Sequence, residues 1–247
     1  MRLRTTKVFV DSRFAVLGTS GSSILFEIPD GGVQLGPNAR CFVSEFTAVC
    51  AWPTLDETNR HQSVMTPGGF YVISLEAGSY DLDSFADALQ AALRQEVDSG
   101  FQVERAGVGS TGSTQQLLRV SHPSMDFTLP TSPLSKIVSW PQTSAISHTS
   151  GLVDLRRCHN IFVHSPSFGN YNTVAPGGVR TVLCKIPVEV GYSGLVRWST
   201  GGSSFDYSEC GVRSLHLLRL ELRDADGNLL DLQGTAFNMT LLFSDGE

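Results

Sequence analysis

Six histidines, five cysteines and 24 acidic side chains are the groups in this chain that could bind a metal, attack a substrate or move a proton. Their spacing decides whether they do. Cys158, His159 and His164, with His148 as a fourth, are the nearest approach to a metal-ligand set. In a strand, residues 159 and 164 project from opposite faces, so the two histidines cannot share one ion. The His-x-His pair followed by a Glu, as used by double-stranded barrel metal sites, is absent, and no metal is expected. Gly107, Gly109 and Gly112 fit G-x-G-x-x-G, but a strand-like run follows where a dinucleotide site needs a helix. A hairpin loop is the better reading. In the run from Asp224 to Asn228 the glycine, Gly227, stands fourth and Thr235 stands twelfth, which fails the calcium-loop pattern and fits a β-turn. No G-x-S-x-G elbow occurs, and no acid, base and nucleophile fall at a diagnostic spacing. The expectation is a protein without catalytic residues or cofactor.

Cys41, Cys50, Cys158, Cys184 and Cys210 are odd in number and make no C-x-x-C pair. Most sit in apolar or alternating stretches, where a thiol behaves as a small hydrophobe. They read as free thiols in a reducing compartment. Net charge is −6 and the isoelectric point about 5.5, which excludes a dominant nucleic-acid footprint. Arg2, Arg4 and Lys7 make a basic start. A solvated terminus is preferred over an arm (1–7) touching nucleic acid, and alternation from residue 7 argues against a secretory signal. No run approaches the ~20 apolar residues of a membrane-spanning helix. Charged residues are only 17%, where free soluble domains keep ~25%, so part of the surface is expected to be hidden against partners.

The elements that must position these groups are strands. Apolar residues alternate over 7–10, 23–28, 41–50, 70–75, 101–105, 116–120, 125–129, 160–164 and 181–186. Leu218, Leu220 and Leu222 alternate with Arg219, Glu221 and Arg223, and Phe237, Met239 and Leu241 resume the pattern after the turn. One stretch departs: Leu82, Phe85, Leu89, Ala92 and Leu93 follow helical spacing over 81–97. Asp81 is placed to cap its start and Gly100 to close its end. This helix is expected across an edge or end of a sandwich, burying Phe85 and Leu89. Gly- and Ser-rich stretches at 18–23, 107–113 and 201–204 read as loops, not linkers. The reading is all-β, with many short strands, one short α-helix and a single domain over 1–247.

Two segments carry a family resemblance. Residues 71–93 run from a strand through a Gly78-x-Tyr80 turn into the helix; residues 159–243 hold the run 160–165, the strand at 180–187, the run 220–232 and the closing strand 237–243. Together they resemble the penton (minor capsid) proteins of virophages, Polinton-like viruses and related double-jelly-roll DNA viruses. The resemblance implies a single jelly-roll β-sandwich, no catalytic residue, and a homopentamer at the icosahedral five-fold vertices that contacts the major capsid protein and other minor capsid proteins. Assembly inside the host cell and residence in the virion capsid would follow. The length leaves room for a decorated loop, over 99–115 or 132–150. Phe168, Tyr171, Tyr192 and Trp198 are interface candidates, being aromatics in Gly/Ser-rich surroundings, with core capping as the alternative. The rival function is a lectin-like or receptor-binding sandwich using Trp198, or Tyr207 beside Asp206.

Overall fold

The computed structural model describes residues 5–106, 116–168, 173–174, 178–200 and 207–245. Strands β1 (Thr5–Asp11), β2 (Leu17–Ser20), β3 (Ser23–Glu27), β4 (Val33–Gln34) and β5 (Ala39–Val49) come first. Then follow β6 (His61–Thr66), β7 (Gly69–Ser74), helix α1 (Leu82–Glu96), β8 (Gln102–Arg105), β9 (Leu118–Ser121) and β10 (Ser147–Thr149). The chain ends with β11 (Asn160–His164), β12 (Val182–Pro187), β13 (Leu195–Ser199), β14 (Ser208–Glu209), β15 (Ser214–Leu215), β16 (Leu217–Arg223) and β17 (Phe237–Asp245). Contacts divide this chain into two compact units, Met1–Trp52 with Cys158–Glu247, and Pro53–Arg157. The sequence predicts one domain, because no shift in composition marks residues 53 and 157.

In the first unit, alternation places every second residue in one core. Leu218, Leu220 and Leu222 of β16 are wholly buried, while Leu217 and Arg219 face outward. Ile161 and Val163 of β11, Phe46 of β5, and Phe237, Leu241 and Phe243 of β17 meet them. One antiparallel sheet runs β1-β17-β5-β13, with β14 paired to β5 beyond it; the other runs β12-β11-β16-β3-β2. Setting aside the short β2, β4, β14 and β15, eight strands remain. Numbered in chain order, they stand 1-8-3-6 in one sheet and 2-7-4-5 in the other, which is the double Greek key of a jelly roll.

Successive strands therefore alternate between sheets, except the fourth and fifth, β11 and β12, which are antiparallel neighbours in one sheet. The turn after β16 is the predicted one, with the Asn228 amide donating to Asp224 Oδ1 at 2.8 Å and Gly227 at φ 86°. It does not make a hairpin with β17, however. β16 pairs with β3 and β11, whereas β17 pairs with β1 and β5.

The second unit has its own core. Asp81 caps α1: its carboxylate accepts from the Ser84 amide at 2.8 Å, and Ser84 Oγ accepts from the Asp81 amide at 3.0 Å. Phe85 and Leu89 are buried as predicted, against β7 and β8 of this unit. The helix ends at Val97, not at Gly100, whose amide is held by Asp98 Oδ1 at 2.7 Å. The three-stranded sheet β10-β9-β8 and the β6–β7 hairpin complete the unit. Residues 125–129, predicted as a strand, make only isolated bridges, Thr128 to Met65 and Phe127 to Ala145. Phe127 lies edge-on to Phe101 with ring centres 4.9 Å apart, so that segment contributes a core side chain instead of a ladder. The two segments expected as a decorated loop, 99–115 and 132–150, both fall in this larger unit, which stands in sequence between β5 and β11.

Candidate functional site

The groups with chemical potential come first. His164 on β11 lies opposite Glu221 on β16 and shares a 3.0 Å hydrogen bond between Nδ1 and Thr181 Oγ1. Glu221 is bound on both oxygens, by Arg219 at 2.8 Å and Arg223 at 2.7 Å. Burial raises the Glu221 carboxyl pKa, but hydrogen bonding and charge from Arg223 and Arg219 outweigh it, and the net shift is downward. For His164, burial and the Arg223 charge both lower the pKa, against a smaller opposing pull from Glu221. A carboxylate committed to two guanidinium groups and an imidazole held to a hydroxyl form a structural clasp. They are poorly placed to turn over a substrate.

Cys158, His159, His164 and His148 do not come together. His159, just before β11, is exposed, His164 is buried, and His148 belongs to the other unit. There His148 Nε2 hydrogen-bonds the Phe127 carbonyl at 2.7 Å. Among the described residues, no group of three His, Cys, Asp or Glu is arranged to hold a metal. His122 accepts at Nδ1 from the Met125 amide at 3.0 Å, so Nε2 carries the proton it donates to Asp98 Oδ1 at 2.9 Å. The His122 hydrogen bond is the largest cause holding the Asp98 carboxyl below its usual range.

The four predicted interface aromatics separate. Phe168 is 0% exposed and packs against Phe243 with ring centres 6.0 Å apart, a core position in the single chain. Trp198 is half-buried against the same core. Tyr192 is 50% exposed, its hydroxyl 3.4 Å from Gln233 Oε1. Tyr171 lies outside the described residues, as do Arg2, Arg4, Asp206 and the glycine motif at 107–112. Lys7 projects from β1.

The larger apolar surfaces of the first unit lie at its two open edges. β1 and β2 end the two sheets on one side. Phe9, Phe14, Val16 and Leu17 stand there at 71%, 72%, 54% and 68% exposure. Phe9, Phe14 and Val16 line a groove of about 720 Å³ together with Phe26, Pro29, Asp11 and Glu27. β13 and β12 end the sheets on the other side. A recess of about 650 Å³ opens there, lined by Val174, Val182, Cys184, Pro187 and Trp198, with Lys185 at its rim. The sequence held a signal for the first patch. With Val8 and Val10 turned inward, Phe9 is an apolar residue out of phase.

A jelly roll with paired open edges, a unit inserted between its third and fourth strands, and no catalytic cluster among the described residues defines the architecture. The fold is shared along the whole chain with the crystal structure of the selenomethionine-labelled mavirus penton protein. That match has a TM-score of 0.60 at 11% identity and covers 99% of both chains. It is also shared with a chain of the cryo-EM structure of the Sputnik virophage, at a TM-score of 0.54 and 10% identity over 98% of both chains. No protein-family model and no curated protein matches the chain in sequence.

Proposed function

We propose that this chain is a structural protein of a virion, a penton-type minor capsid protein. Five copies close a ring at an icosahedral vertex, and the ring's periphery contacts the major capsid protein. The jelly roll builds the ring. The observation that carries this reading is the end-to-end likeness to the mavirus penton protein, inserted unit included. Secondary support comes from the low charged fraction of 17% and from the apolar residues left open at both edges of the sandwich. Among the described residues no helix is long and apolar enough to cross a membrane.

Native mass spectrometry of the purified protein at micromolar concentration tests the reading. A dominant species of five subunit masses is the expected result. A trimer, or a monomer at every concentration together with no binding to emptied vertices of the parent virion, would overturn it.

A further inference from the structure

We infer that the two open edges of the jelly roll are the two halves of one repeating contact: the Phe9, Phe14, Val16 and Leu17 edge of one copy seats in the recess at the β12–β13 edge of the next. This rests on the proposed ring and names the faces that close it.

Three observations favour a second copy of this chain as the occupant. The first is form. Side chains stand exposed at one edge, while the opposite edge of the same sandwich holds a recess whose apolar lining includes a half-buried Trp198. Solitary exposed apolar residues need no explanation, but four within nine positions, beside an unpaired strand edge, form a contact surface. The second is charge. Asp11 is already taken by Arg13, whose Nε lies 3.0 Å from each carboxylate oxygen, so Glu27 is the acid left at the first edge. Lys185 is the base at the rim of the second. Among the described residues neither Glu27 nor Lys185 has an ion-pair partner.

The third is symmetry. A patch that matched itself would stop at a dimer, whereas two different, complementary patches repeat head to tail and can close a ring. β1 and β13 terminate the same sheet at opposite ends, which places the two patches on different sides of one protomer. That is the arrangement a closed ring requires.

The test places a photo-crosslinking amino acid, p-benzoylphenylalanine, at position 14 of the full chain. Irradiation is followed by peptide mapping and native mass measurement. Position 14 is exposed, and a thermal melt of the variant verifies that it folds. The expected product joins residue 14 to a peptide of another copy containing Val182–Pro187 or Trp198. Crosslinks to the 9–17 segment of another copy, or no intermolecular crosslink at all, would overturn the inference. Glu27→Lys and Lys185→Glu should each weaken association by roughly two- to fivefold per contact, and the double exchange should restore it. Absence of rescue counts against the pairing. Pentamers whose crosslinks map elsewhere would overturn this contact and leave the five-fold reading standing. The expected crosslink in an assembly of another size would do the reverse.

Discussion

Burial and a neighbouring arginine both favour an imidazole in its neutral, singly protonated form. Both dominant influences on His164, burial and the Arg223 charge, favour the neutral form. The folded pKa lies below the ordinary 6.5, so the contribution of His164 is complete above that value and is lost as pH falls through the depressed one. Glu221 adds a second loss lower down, as pH drops from its ordinary 4.5 through its own depressed value and the Arg219 and Arg223 pairs dissolve. We expect denaturant midpoints to fall on acidification below about pH 6.5, with a slope of at most ~1.4 kcal/mol per pH unit for each group. In His164→Gln the upper part of that slope should vanish; an unchanged profile would remove the imidazole from the account. Burial acts in the same way on the thiols of Cys50 and Cys210. Burial raises the pKa values of Cys50 and Cys210 to about 11, so they remain protonated and serve as packing, as their apolar surroundings in the sequence suggested.

At the scale of elements, the clearest strands were those whose alternation has an unbroken apolar phase, such as β16. β6 escaped detection because its buried phase is partly polar. Gln62 is wholly buried, its amide donating to the carbonyls of Ser63 at 2.8 Å and Pro130 at 3.0 Å and its oxygen accepting from Ser132 at 2.9 Å. Two of those three partners are distant in sequence, so nothing near Gln62 could announce that it was satisfied inside a core. α1 was readable because its cap and its apolar stripe are local.

Short elements rest on backbone geometry instead. Gly32, at φ 77°, precedes β4, and a Cβ there would collide with the Leu215 carbonyl and lie 2.9 Å from His216 Nδ1. Gly32→Ala should destabilise the first unit by more than about 1 kcal/mol, read from its denaturation midpoint. An unchanged midpoint would show that the β4–β15 pairing yields at no cost.

The described residues form two hydrophobic cores, one around Phe46, Phe237 and Phe243 and one around Phe85, Phe101 and Phe127, with no buried residue in common. Separate cores open separately. Native-state hydrogen exchange with rising denaturant should show the amides of β5 and β17 converging on one opening free energy and those of α1 and β9 on another. A single shared isotherm would indicate one cooperative block. Local sequence was enough to determine the all-β class and helix α1 with its cap, because each depends on neighbours within a turn or a pleat. Which strands pair was not encoded locally. β1 lies beside β17 across almost the full chain, and two strands that look like a hairpin, β16 and β17, belong to opposite sheets. Only tertiary structure could set apart residues 53–157 as a unit with its own core, bury Phe168 and leave Phe9 and Phe14 exposed. Alternation specifies that a side chain points to one face of a strand, and long-range packing alone decides whether that face meets a core, solvent or a neighbouring copy.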